Sequence, residues 1–160
     1  MEKITYLAKQ LKNRAATYPH LTSLTLTQGE LFSWNHTACA ITYDVRSQNA
    51  AASLLHEFGH AALNHRDYSR DIDLLKLERA AWDAAQMLAK EYDVVIDEGL
   101  IESSLDTYRD WLHQRSQCPQ CQATGIQTHN NTYTCPACKS SWAVNQARQC
   151  ALRRYTKKRP

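Results

Sequence analysis

Apolar positions in residues 2–17 recur at helical spacing, with Ile4, Leu7, Ala8, Leu11 and Ala15 on one face, and Tyr18-Pro19 stops the run. A first helix is predicted there. From Leu21 to Tyr43 the pattern changes to β-branched and aromatic residues in short groups: Thr25 to Thr27, Leu31 to Trp34, and Cys39 to Tyr43. Gln28-Gly29 and Asn35-His36 separate them. These groups predict a three-stranded antiparallel meander. Helical spacing returns over 49–64, where Leu54, Leu55, Phe58, Ala61 and Ala62 form an apolar stripe and Ser53, His56 and His60 gather opposite it. One face is expected to pack and the other to be free for chemistry. A third helix over 71–92 carries Leu74, Leu75, Ala81, Trp82, Ala85 and Leu88 on one stripe, and a fourth over 97–115 carries Ile101, Leu105, Tyr108 and Leu112. Helices following a small sheet make the front of the chain α+β.

A length of 160 residues leaves room for one ordinary domain and a small appendage, and an apolar content of 43% is enough for a packed core. No apolar run reaches the ~20 residues of a membrane-spanning helix, and the start lacks a secretory stretch, so a cytoplasmic protein with no membrane partner is expected. Charge is uneven. Residues 1–115 hold 12 Lys+Arg and 16 Asp+Glu, giving −4, while 116–160 hold 7 Lys+Arg and no acid, giving +7, which together make the net +3. A mildly acidic working domain followed by a purely basic end suggests an encounter with a polyanion.

The helix over 49–64 contains His56-Glu57-Phe58-Gly59-His60, an H-E-x-x-H motif. Residues four apart lie one turn apart on one face, so both imidazoles can reach one Zn²⁺ while Glu57 polarises water at the metal and carries its proton to a leaving amine. On the next helix Glu78 falls within the apolar stripe, where an ionised carboxylate is expensive without a partner. A metal is one such partner, a salt bridge another. His65, Asp71 and Asp73 are alternative third ligands. His65 would fall with Phe58 if the helix continued, in a packed or supporting role, and Asp71 and Asp73 suit a helix N-terminus. Asp83 points away from the stripe and reads as solvated, and Tyr92 or Tyr108 could supply an oxyanion donor.

The run from Leu55 to His65, with its H-E-F-G-H core, Leu63 and His65, followed by Glu78-Arg79-Ala80-Ala81, resembles the ImmA/IrrE family of zinc metallopeptidases. The resemblance implies a zincin-like domain, a catalytic zinc on His56, His60 and Glu78, catalysis by Glu57, and cleavage of a regulatory protein such as a transcriptional repressor. Trp82-Asp83-Ala84-Ala85 departs from the residues that usually follow in that family.

Of six cysteines, Cys118/Cys121 and Cys135/Cys138 form two Cys-x-x-Cys pairs thirteen residues apart. With a hairpin between them (Ile126 to Thr128, Asn130-Asn131, Tyr133), they predict a four-cysteine zinc ribbon whose structural zinc stands in for a core too small to hold alone. Two disulfides are the competing reading. Cys39 is expected to be a buried small hydrophobe, and Cys150 has no evident role. Past the ribbon, Arg148, Arg153, Arg154, Lys157, Lys158 and Arg159 could neutralise phosphates, with Trp142 and Tyr155 stacking on bases; a solvated basic tail is the alternative. The expected organisation is a metallopeptidase domain at 1–115, a ribbon at 116–144 and a basic tail at 145–160. Function follows as a zinc metalloendopeptidase acting on a regulatory or nucleic-acid-associated protein. Two alternatives stand beside it. One is a SprT-like protease of DNA-bound proteins, whose third ligand is a downstream histidine, although no histidine lies between His65 and His113 here. The other is a non-enzymatic nucleic-acid-binding ribbon protein.

Overall fold

The computed structural model of the chain describes residues 2–146 and 152–156. The elements are α1 (Glu2–Ala15), a 3-10 turn (Pro19–Leu21), β1 (Thr25–Gln28), β2 (Ser33–Asn35), β3 (Ala40–Tyr43), α2 (Ala50–Ala62), α3 (Asp71–Glu91), α4 (Glu98–Ser116), β4 (Ile126–His129), β5 (Thr132–Thr134), β6 (Ser141–Val144) and β7 (Arg154–Thr156). The chain is α+β, as its patterning implies. No helix among the described residues is long and apolar enough to cross a membrane.

The chain divides into two compact units: residues 1–67 with 77–101, and residues 68–76 with 102–160. The division does not fall after Arg115, because α3 and α4 each run through it.

In the first unit, the apolar stripe of α1 is buried along its whole length, from Ile4 to Ala15. The small sheet is mixed instead of the expected antiparallel meander. Its strand order is β1-β3-β2, with β3 antiparallel to β2 but parallel to β1. Alternating patterning specifies which face of a strand is buried but not its neighbour or direction, and here the central strand is the last one made. Ile41 and Tyr43 on β3 are buried, as befits that central place. Cys39 lies in the turn before β3, half-buried at φ 47°, and not within the strand as a core residue.

The second unit contains a four-stranded antiparallel sheet in the order β4-β5-β6-β7. Its core is a cluster of Cys118, Tyr133, Cys135, Trp142 and Val144. Arg115 is 1% exposed, with Nε donating to Asp71 Oδ2 at 3.0 Å, Nη1 to the Asn145 carbonyl at 2.7 Å and Nη2 to Asn131 Oδ1 at 2.6 Å. Its guanidinium also lies 4.1 Å from the centre of the Trp111 ring. A buried guanidinium is tolerated because its donors are satisfied in this way. The segment expected to be a tail contributes β7, which pairs with β6, so residues 154–156 are ordered as an edge strand.

Candidate metal centres

In the first unit α2 and α3 bring three ligand groups together. His56 Nε2 lies 3.1 Å from His60 Nε2 and 3.1 Å from Glu78 Oε2, and His60 Nε2 lies 3.5 Å from the same oxygen. The i, i+4 spacing on α2 accounts for the two imidazoles. The carboxylate, eighteen residues past His60, arrives through the approach of α3. Gly59 permits that approach: a Cβ there would stand 2.5 Å from the carbonyl oxygen of Ala81. Glycine in the middle of α2 costs about 1 kcal/mol of helix propensity, and the close passage of α3 is what that cost makes possible.

The ligand side of α2 is partly covered and not the wholly free face its periodicity suggests: His56 and Glu78 are 6% and 5% exposed, while Ser53, Glu57 and His60 are half-buried. Trp82, one turn after Glu78, stacks on the His56 ring at 4.2 Å between centroids and 29° between planes. Burial holds the His56 imidazole below its ordinary pKa. Burial pushes the Glu78 carboxyl up, but hydrogen bonds from His56 and His60 more than reverse this and leave it well below the usual carboxylate range. A buried neutral imidazole beside an ionised carboxylate is the donor set that suits a borderline metal ion. The spacing fits as well. Ligand bonds of about 2.0–2.1 Å in a tetrahedron place ligand atoms about 3.3 Å apart, and the observed separations are 3.1 to 3.5 Å. His56, His60 and Glu78 thus form a group able to hold a metal ion. Glu57 is partly buried on the same helix.

The alternative third ligands fall elsewhere. Asp71 is in the second unit, paired with Arg115, and Asp73 lies 3.9 Å from Lys76. His65 points its Nδ1 at His60 Nδ1, 2.9 Å away, so it reaches the outer side of a ligand and not the ligand cluster. Burial, and then His60 nearby, push the His65 imidazole down to about 4. A continuing helix would set His65 beside Phe58, but the helix ends at Ala62 and Asn64 turns the chain at φ 55°. Asn64 was the available clue, since asparagine adopts left-handed backbone more readily than most residues. Asp83 is exposed and paired with Arg79 at 3.0 Å, as expected of a solvated residue. Tyr92 sits near Arg14 and Glu91 at the end of α3, and Tyr108 is on α4 in the second unit.

Comparison with protein-family models, curated proteins and solved structures finds no match.

The second unit holds the other candidate centre. Cys118, Cys121, Cys135 and Cys138 converge, with Sγ atoms 3.6 Å apart for Cys118 and Cys138 and 3.5 Å for Cys121 and Cys135. Metal–sulfur bonds of about 2.3 Å in a tetrahedron require about 3.8 Å, so the set is slightly contracted but of the right form. The two halves repeat one local design. Cys118 N–H donates to the Ala123 carbonyl at 2.9 Å and Gln122 N–H to the Cys118 carbonyl at 3.0 Å; Cys135 N–H donates to the Ser140 carbonyl at 2.8 Å and Lys139 N–H to the Cys135 carbonyl at 3.0 Å. Gln122 and Lys139 both have φ 63°. Backbone N–H groups of Gln120 and Cys138 approach the sulfurs of Cys118 and Cys135 at 3.4 and 3.5 Å. Burial pushes the Cys118 thiol up, but hydrogen bonds from Ser140 and from the backbone outweigh it and bring it to about 6, favouring the thiolate there; at Cys121 a backbone hydrogen bond from Ala123 lowers the thiol, but hydrogen bonds with Cys135 and Cys138 outweigh it and push it up to about 12.

Of the basic residues, Arg153 and Arg154 are exposed, while Arg148, Lys157, Lys158 and Arg159 lie outside the described residues, as does Cys150. Trp142 is not available for stacking on bases. It is fully buried, stacks on Tyr133 at 5.6 Å and donates its Nε1 hydrogen to the Arg115 carbonyl at 3.0 Å. Tyr155 is 54% exposed.

Proposed function

We propose that the protein is a zinc-dependent metalloendopeptidase with a zincin-like first unit, akin to the ImmA/IrrE family. The observation that carries this reading is the convergence of His56, His60 and Glu78 on one point, with Glu57 adjacent to His56 on the same helix. Zinc bound there would supply Lewis acidity toward water and a scissile carbonyl. His56 and His60 offer imidazole lone pairs, and Glu78 balances charge from within a buried site. Glu57 takes a proton from water as it attacks the carbonyl and delivers that proton to the departing amine. In the second unit Cys118, Cys121, Cys135 and Cys138 hold a structural zinc that stabilises the ribbon.

A carboxylate as third ligand favours this reading over a SprT-like protease, which takes a histidine. The substrate we propose is a cytoplasmic regulatory protein, such as a transcriptional repressor, or one associated with nucleic acid. The purely basic stretch after residue 115 and the exposed Arg153, Arg154 and Tyr155 support the nucleic-acid association.

Glu57→Gln tests the proposal. It should abolish hydrolysis of any protein that the unaltered chain cleaves, while two zinc ions per chain, on the rule of one metal per ligand set, remain by elemental analysis. Retained turnover would overturn the assignment of Glu57. A chain that binds zinc through its cysteines alone and cleaves nothing would favour the non-enzymatic ribbon protein.

A further inference from the structure

The two candidate histidine ligands are held by different means. His56 has its ring stacked on Trp82, and its buried Nδ1 has no hydrogen-bond partner among the described residues. His60 turns Nε2 toward His56 and Glu78, and its other nitrogen, Nδ1, lies 2.9 Å from Nδ1 of His65 with the rings 5.0 Å apart at 74°.

The end of α2 decides where His65 lands. Leu63 is the C-cap, Asn64 follows in left-handed conformation, and the backbone closes with His65 N–H donating to His60 O at 3.0 Å and Asn64 N–H to Ala61 O at 3.0 Å. This paired closure places the second residue after the cap over the third helical residue before it, a position more often used for an apolar contact. Here it sets an imidazole over an imidazole. Trp34 on β2 secures the turn from the other side, with Nε1 donating to the His65 carbonyl at 3.0 Å.

Two imidazole nitrogens at this distance can bond only if one carries the hydrogen. For His60 Nε2 to present a lone pair, the hydrogen of a neutral ring must be on Nδ1. We infer that His65 is a positioning residue, whose Nδ1 accepts the Nδ1 hydrogen of His60 and thereby fixes both the tautomer and the orientation of that ligand. His65 itself then carries its hydrogen on Nε2. The inference rests on the reading of His56, His60 and Glu78 as a metal site but does not require that the site be a peptidase.

The test is metal affinity in the full chain, by chelator competition with zinc and by cobalt substitution. The thiolate charge-transfer bands of the four-cysteine set serve as an internal reference, separate from the weaker d–d bands of the histidine and carboxylate set. His65→Ala and His65→Phe should each weaken binding at the His56/His60/Glu78 site by about 10–100-fold, the usual cost of losing a partner that orients a ligand. Binding at the cysteines should not change. His65→Gln keeps an acceptor oxygen and should recover most of the affinity, which a merely packing role would not predict. In the zinc-loaded chain the His60 Nδ1 proton should give a slowly exchanging resonance that His65→Phe abolishes. Unchanged affinity in the Ala and Phe variants, or a Gln variant as weak as Phe, would overturn the role of His65 while leaving the metal site standing. A full chain that takes up no metal beyond its cysteine site would overturn both.

Discussion

The two candidate centres are assembled over different distances along the chain. Each half of the cysteine site is a self-contained turn: the same pair of backbone bonds, the same left-handed residue after the second cysteine, and an N–H directed at the first sulfur. The histidine site takes two ligands from one helix and its third from another, and that third is in place because Gly59 lets the backbone at Ala81 come close. Local geometry makes each half of the first site. Helix packing makes the second.

The largest expected effect tests that difference directly. Cys135→Ser should release the second unit's metal and, since structural zinc contributes about 10–16 kcal/mol in small modules, should unfold the ribbon around Trp142 and Tyr133. Tryptophan emission and limited proteolysis would report it. Glu78→Ala should instead lower the metal content by about one per chain, on the one-metal-per-site rule, with the fold largely kept. If the two variants behave alike, the sites do not differ in the way the geometry implies.

Next in size is Arg115→Ala. Removing one partner of a buried ion pair costs about 3–5 kcal/mol, and here it also removes the hydrogen bonds that Arg115 donates to Asn131 Oδ1 and to the Asn145 carbonyl. Denaturation of the zinc-loaded chain should show the loss; an unchanged midpoint would mean that the metal alone holds the second unit.

How much of each site is legible in the sequence differs. The Cys-x-x-Cys pairs and the H-E-x-x-H helix are visible because their ligands are neighbours, and Glu78 stands out as a charge in an apolar stripe. The places of Trp82 and Trp34 are not visible, and His65, read only as packed or supporting, could not be matched to His60, because each depends on which element lies against which, or on one residue of left-handed backbone at Asn64. The buried place of Trp142 is likewise hidden, since an aromatic ring beside basic residues suits base stacking and a small core equally well.

Gly59→Ala should have a smaller effect on stability, about 1–3 kcal/mol from overpacking, but a selective effect on metal. Moving α3 away withdraws Glu78, so affinity at the histidine site should fall while the cysteine site keeps its own, as read by the same chelator competition. Smallest of all is Arg153→Ala with Arg154→Ala. If the basic end meets nucleic acid, the slope of log affinity against log salt should flatten by up to ~0.7–0.9 for each phosphate no longer neutralised. An identical slope would remove those two residues from the interface.

Sequence by itself determined the helices, the two ligand motifs, the charge asymmetry and the polar residue that did not belong in its stripe, since these depend on spacing within one element or one turn. It did not determine that β1 would lie parallel to β3, that the segment around residue 155 would close a sheet, or that Asp71 would pair with Arg115. Those outcomes belong to tertiary structure, because pairing partners and helix crossings are chosen by shape and burial across tens of residues. Periodicity says which side of an element will be covered, and only the folded chain says by what.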